Sequence, residues 1–164
     1  MMRGRRLAAI VWLVVAACGS SSPSHAQSAP TPVGGYLASL GSPGCVAPAA
    51  FHEWQAPQGF PEVGLDSRRG SVWALFFSAV PPPARQDIKI VWRMTGSGDF
   101  SFRAIDAAGV AISPVWGPES HGGSNWEHPG DEVGTGFNFT HPGCWDIHVA
   151  RSDTSADLWL QVTA

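Results

Sequence analysis

The chain is poor in charged residues, which are 14% of its 164 residues, and Lys89 is its single lysine. Three of its ten basic residues lie within the first six positions. Beyond residue 17 the chain therefore keeps 13 acidic residues and 7 basic ones, a net charge of −6 with histidine neutral. No basic patch is present, which argues against a nucleic-acid partner and against electrostatic binding to anionic lipid.

The sequence also lacks the common catalytic motifs. Neither a nucleophile elbow of the G-x-S-x-G type nor a phosphate-binding loop or dinucleotide fingerprint occurs, and no H-E-x-x-H zinc motif is found. We therefore predict a protein that is not an enzyme and needs no cofactor, with a small secreted hydrolase as the third interpretation of its function.

Long apolar runs are absent too: Leu7 to Ala17, eleven residues, is the best candidate and is too short to span a bilayer. Because arginines precede it, the segment is typical of an export signal peptide. Its end, Val15-Ala16-Ala17-Cys18, resembles the bacterial lipoprotein signal, in which the cysteine is lipidated and becomes the new N-terminus. Ordinary cleavage after Ala26, giving a secreted protein, is the alternative.

The remaining chain divides by composition. Residues 18–35 are rich in Ser, Pro and Gly and contain no aromatic residue, so we expect a flexible tether. Residues 36–164 are long enough for one domain with its own core. Within it, residues 36–66 are rich in Gly and Pro and are predicted to be irregular.

From residue 71 onward, short apolar segments alternate with turn signals about every ten residues. Residues 71–79 are apolar on both faces, whereas Ile88, Ile90, Trp92 and Met94 alternate with polar residues. Leu158, Leu160 and Val162 repeat that alternation near the C-terminus. The pattern predicts an all-β fold, an immunoglobulin-like antiparallel sandwich of about seven strands.

The segment from Phe137 to Val149 forms the centre of this prediction. Phe137 and Phe139 share one face of a strand, and Trp145, Ile147 and Val149 share a face of the next. The F-x-F…P-G-C-W pattern of residues 137–145 resembles exported bacterial proteins that end in such strands. That resemblance covers roughly residues 70–164, and it implies a fold and an extracytoplasmic location but no activity.

Two cysteines remain after Cys18 is lipidated or cleaved away. Paired cysteines are the usual state in an oxidising compartment, so we predict a disulfide between Cys45 and Cys144.

The predicted loop of residues 117–134 concentrates histidines, carboxylates and a tryptophan, and three explanations compete for it. The favoured one is a packed loop held to the domain by Trp126. The second is a metal site, for which the candidate ligands are Glu119, His121, His128 and Asp131, with His141 as a possible fifth. The third is a glycan or peptide platform formed by Trp116 and Trp126, with Trp54 as a third candidate member.

These observations together predict a binding domain of the cell envelope. Its partners would be the membrane, through the lipid on Cys18, and an envelope protein or glycan. The alternative is a metal- or glycan-binding module that uses the 117–134 loop.

The lipid anchor can be tested by replacing its cysteine. Cys18→Ala should move the protein from the membrane fraction to the soluble fraction or stall its processing, as followed by fractionation and immunoblotting. A wild-type protein that is already soluble and begins at Gln27 would contradict lipidation.

Overall fold

The computed structural model describes residues 44–45, 50–55 and 59–164. The predicted signal peptide, the lipidation site at Cys18 and the tether of residues 18–35 all lie outside the described residues, as does most of the segment 36–49. In the described part of the chain, no helix is long and apolar enough to cross a membrane.

Eleven β-strands follow one another along the chain. They are β1 (His52–Trp54), β2 (Phe60–Leu65), β3 (Ser67–Arg68), β4 (Val72–Phe76), β5 (Asp87–Met94), β6 (Ser101–Asp106), β7 (Ala111–Ile112), β8 (Trp116–Ser120), β9 (Asp131–Asn138), β10 (Gly143–Ala150) and β11 (Ser155–Val162).

The strands form two antiparallel sheets. One has six strands in the order β1-β2-β4-β5-β9-β8, and the other has five in the order β3-β11-β10-β6-β7. Their inner faces share one apolar core, so the predicted all-β sandwich is confirmed. The count exceeds the expected seven mainly because β1, β3 and β7 are only two or three residues long.

Two predicted boundaries were wrong. The segment 36–66, expected to be irregular, contains β1 and β2. The loop expected at 117–134 is shorter, because β8 extends to Ser120 and β9 begins at Asp131, which leaves residues 121–130. Between β7 and β8 the chain passes Pro114, which lies outside both strands, since proline cannot donate a ladder hydrogen bond.

The core follows the alternation read from the sequence. The predicted inward residues of β5, those of the corner strands and those of β11 are all buried, which confirms those assignments. The fully buried large side chains of this core include Trp92, Trp145, Phe76, Phe137, Phe139, Ile90, Met94, Ile147, Leu158 and Leu160.

One polar contact crosses this apolar interior. The Trp92 indole donates a hydrogen bond of 2.8 Å to the Thr135 hydroxyl, which is itself 3.4 Å from the carbonyl oxygen of Ile90. A buried N–H without a partner would be costly, so Thr135 allows a large tryptophan to occupy the centre of the core.

The predicted disulfide is confirmed. Cys45 and Cys144 are bonded, with Cα atoms 5.8 Å apart and 99 positions between them in sequence. Cys144 alternates with the core residue Trp145 and so faces away from the core. The bond therefore holds Cys45 against the outer face of the five-stranded sheet.

The edges of both sheets are short. The six-stranded sheet ends in β1, with three residues, and in β8, with five, while β3 and β7 of the other sheet have two each. Short edges offer few free backbone groups to an added strand. The wide faces are therefore the larger surfaces that the described domain presents to a ligand.

Candidate functional site

The loop of residues 121–130 folds back over the outer face of the six-stranded sheet. Its Trp126 is only 1% exposed and packs on Leu75 and Val91, which point outward from β4 and β5. This small cluster is separate from the main core. The sheet therefore buries apolar side chains on both faces, which explains why residues 71–79 are apolar at almost every position.

A single carboxylate holds the loop in place. Glu62, on β2, accepts a hydrogen bond of 2.6 Å from the Trp126 indole, and the same oxygen lies 3.0 Å from Nε2 of His128. The His128 ring also stacks on Trp73, with ring centroids 3.7 Å apart. Two side chains of the loop, Trp126 and His128, thus converge on one oxygen of the sheet.

Arg93, on β5, fixes the returning arm of the loop. Its Nε donates to Glu132 at 3.0 Å, and a terminal nitrogen donates to the carbonyl oxygens of His128 and Gly130 at 3.0 and 3.2 Å. Because Glu62 and Arg93 hold different parts of the same loop, the loop is ordered in advance of any ligand.

A row of aromatic side chains crosses the outer face of this sheet at one level. We call it the aromatic row; its members are Trp54, Phe60, Phe77 and Trp116, with Lys89 between the last two. Trp54 pairs with Phe60, the Phe60 and Phe77 rings stack, and Lys89 and Trp116 both pair with Gly136. The row runs from one sheet edge to the other, five strand spacings or roughly 24 Å.

Gly136 is what allows Trp116 to join the row. A Cβ atom at Gly136 would overlap the indole of Trp116, so this ring lies directly across the glycine. Gly134 has the same relation to the ring of His121. The two glycines of β9 thus create room for side chains that cross the sheet surface.

The two phenylalanine rings of the row stand side by side on the sheet. Phe60 and Phe77 have centroids 4.4 Å apart and an interplanar angle of 26°, and the Lys89 ammonium lies 4.5 Å from the centroid of Phe77 on the side of β5. Neighbours on β2 and β5 therefore cover both faces of Phe77. Phe77 nevertheless remains 41% exposed.

A groove of about 310 Å³ runs between this row and the loop. We call it the aromatic groove. Leu75 and Val91 form its floor with Trp126. One wall consists of row members from Trp54 to Lys89, and the other is the loop from His121 to Asn125 with Glu132. Its lining combines aromatic rings with polar groups of the loop, and its volume lies at the lower end of the range for small-ligand sites.

Two larger depressions are polar. One, of about 550 Å³, lies beside Asp131 and Arg151, which are already paired at 2.7 Å. The other, of about 460 Å³, is bordered by Arg68, Arg69 and His148. The first is lined by one half-buried phenylalanine, Phe100, whose ring Arg151 covers, and the second by no phenylalanine or tryptophan.

The candidate metal ligands are not brought together. Glu119 and His121 are exposed on or next to β8, His128 is bonded to Glu62, and Asp131 is paired with Arg151. His141 lies 2.9 Å from Asp106 on the other sheet. No group of three or more His, Cys, Asp or Glu side chains in residues 44–45, 50–55 and 59–164 could hold a metal ion.

The candidate platform residues have different positions. Trp126 is buried and holds its loop to the sheet, as the favoured explanation expected, so it presents no ring face to a ligand as the platform alternative requires. Trp116 is half-buried in the aromatic row, and so is Trp54. The sequence did not indicate Phe60, Phe77 and Lys89, because only the pairing register of β2, β4 and β5 aligns them.

A second group of titratable side chains lies on the outer face of the five-stranded sheet. Asp146 is 3% exposed, and one of its carboxylate oxygens has no hydrogen-bond partner. Burial, with the nearby charge of Asp157, raises the pKa of the Asp146 carboxyl to about 6. The hydrogen bond to Asp157 likewise raises the pKa of His148. These groups lie apart from the aromatic groove.

No protein-family model matches the chain, and no curated protein or solved structure is significantly similar to it.

The raised pKa of Asp146 makes stability depend on pH. The folded state binds a proton below about pH 6 that the unfolded state binds only near 3.8. Wild-type stability should therefore fall as the pH rises through this window, by up to about 3 kcal/mol. Urea unfolding at several pH values between these limits measures the fall.

Asp146→Asn removes this titration, so its stability should stay level in the same window. The contribution of His148 lies above its ordinary pKa of 6.5 and should remain in the variant. Parallel pH profiles for variant and wild type between about pH 4 and 6 would show that Asp146 is not the titrating group.

Proposed function

We propose that the protein is an extracytoplasmic, lipid-anchored binding domain whose ligand site is the aromatic groove. The anchor and the location rest on the export signal and on the cysteine at position 18. The ligand site rests on one structural observation, the partly exposed edges of Phe60 and Phe77 beside an ordered loop. Phe60 is 37% exposed and Phe77 41%, and both line one continuous groove.

Preorganisation supports this site. Trp126, Glu62 and Arg93 fix the loop wall without using any group of the opposite wall. A ligand that enters therefore orders little of the protein, and more of its interaction energy remains as affinity.

The orientation of the rings favours an apolar ligand group over a flat saccharide. A sugar stacks on the face of an aromatic ring, but both faces of Phe77 are covered by its neighbours. The partly exposed rings of Phe60 and Phe77 instead form a narrow apolar channel, with Leu75 and Val91 buried beneath it. Insertion of an alkyl or aryl group removes this surface from water, which is favourable by roughly 25 cal/mol per Å².

A glycan-binding module remains the second candidate function, and one observation favours it. Trp116 lies flat across Gly136 at the far end of the row and is only half-buried. Such a ring can pack against one sugar, with hydrogen bonds from neighbouring polar groups.

The polar side chains of the groove favour binding over catalysis. Glu132 is engaged by Arg93, and the Ser124 hydroxyl accepts a hydrogen bond from the backbone of Trp126. Both groups therefore stabilise the loop. Within the described residues, no hydrogen bond joins Ser124 to a histidine, as an activated nucleophile would require.

An uncharged apolar dye tests the groove directly. N-phenyl-1-naphthylamine should fluoresce more strongly with the folded protein, and Phe77→Ala should weaken binding about tenfold, because it removes one apolar wall. Val110→Ala is a matched control, since Val110 is 50% exposed and follows β6 on the other sheet. Melting curves should confirm that both variants fold.

Equal dye binding by wild type, Phe77→Ala and Val110→Ala would contradict the assignment of the groove as the ligand site. Loss of binding in Val110→Ala alone would place the apolar site on the five-stranded sheet.

A further inference from the structure

Lys89 is the single lysine of the chain, and it lies in the wall of the aromatic groove. Its ammonium is 4.5 Å from the centroid of the Phe77 ring. Arg93 and Arg151 form ion pairs with carboxylates, whereas no ion pair of Lys89 is found in the described part of the chain. The acidic residue two positions away on the same face, Asp87, accepts a hydrogen bond from Asn138.

The surroundings of this cation are apolar. Phe77 lies on one side of it, Gly136 on the other, and Val91 two positions further along β5. Lysine commonly lays its stem on apolar surface and keeps its charge in water. A ligand that covers Phe77 would therefore also contact the Lys89 ammonium and displace water from it. Because removing water from a charge is unfavourable, the ligand would have to supply a negative charge in compensation.

Glu132, the acidic residue that lines the groove, does not supply the negative charge that would pair with Lys89. Glu132 is held by Arg93, with its side chain 6% exposed. The chain as a whole carries a net charge of −3, so long-range attraction does not bring anions to the protein. Selection of an anion must be local, by one ammonium next to apolar walls.

We propose that the aromatic groove binds a small amphipathic carboxylate, an alkyl or aryl group that ends in one carboxylate. The carboxylate accepts hydrogen bonds from the Lys89 ammonium, a charge-assisted contact. The apolar part lies against the edges of Phe60 and Phe77 and over the floor formed by Leu75 and Val91. This inference rests on the proposed function, because it assumes that the groove is the ligand site.

The shape of the groove limits the ligand to a small molecule. Its volume of about 310 Å³ is at the lower end of ligand sites. The depression beside Arg68 and Arg69 has more cations, but it lacks apolar walls and would not distinguish an amphipathic anion from a simple one.

Titration calorimetry with three probes tests the inference: decanoate, decanol and gluconate. The full chain with Cys18→Ala is used, so that no acyl group on the protein competes. Decanoate should bind more tightly than decanol by about twofold to fivefold, since it adds one partly exposed ion pair. Gluconate, which has the charge without the apolar group, should not bind.

Substitutions of the same cation provide the matched controls. Lys89→Gln should lower the affinity for decanoate about twofold to fivefold and leave decanol unchanged. Lys89→Arg keeps the charge and should retain most of the affinity. Val110→Ala should behave as the parent chain.

The single lysine also permits a chemical footprint. An amine-acetylating reagent should modify Lys89, and saturating decanoate should slow that reaction, as measured by mass spectrometry of the peptide containing residue 89. Decanol at the same occupancy should protect less, because its hydroxyl does not neutralise the ammonium.

Decanol binding as tightly as decanoate, with Phe77→Ala weakening both, would overturn the carboxylate inference and leave the groove as the ligand site. The inference would also be overturned if decanoate binding depended on neither Lys89 nor Phe77, or if no probe bound. If, in addition, Phe77→Ala left binding of the naphthylamine dye unchanged, the proposed function would fail too.

Discussion

The described surface of this domain depends on one shared hydrogen-bond acceptor, the carboxylate of Glu62. It receives the indole N–H of Trp126 at 2.6 Å and lies 3.0 Å from the imidazole of His128. A buried indole N–H without a partner would oppose burial of Trp126 by about 1–3 kcal/mol. Glu62 removes that penalty, so the tryptophan can cover Leu75 and Val91 and bring its loop onto the sheet.

The position of the loop then creates the groove. The aromatic row alone would be an exposed ridge on a sheet face, but residues 121–125 add the facing wall. The inner face of the same sheet supplies rigidity through Trp92, Phe76 and the other core residues. The core, the contacts of Glu62 and Arg93 that hold the loop, and the aromatic groove are therefore successive layers on the same strands, β2, β4, β5 and β9. We infer a binding protein because the outermost layer exposes apolar edges and a single cation.

The sequence was sufficient for the core and insufficient for the groove. Alternation along β5, β10 and β11 identified the buried side chains, because period-two burial is a local property of each strand. The disulfide could be predicted because only Cys45 and Cys144 remain once Cys18 is removed. The row could not, since Phe60, Phe77 and Lys89 are neighbours only through cross-strand register, which no local pattern specifies.

Two features depend on contacts between residues that are far apart in the chain. Trp126 was expected to hold its loop to the domain, and it does, but its partner Glu62 is 64 positions earlier and no local pattern indicates it. The segment around β1 and β2 was predicted to be irregular because its glycines and prolines are typical of loops, although Glu62 to Leu65 pairs with β4. In that segment a long-range contact outweighed the local signal.

Amide hydrogen exchange in the loop tests the central claim most directly. In the structure the amides of His121, Trp126 and His128 donate hydrogen bonds to Glu132, Ser124 and Trp126, respectively. If the Glu62 contacts order the loop, these three amides exchange far more slowly in the wild-type protein than the amides of an unstructured peptide. Glu62→Ala should remove that protection, while core amides such as that of Trp92 stay protected. Exchange of all three at unstructured rates in the wild-type protein would contradict the account.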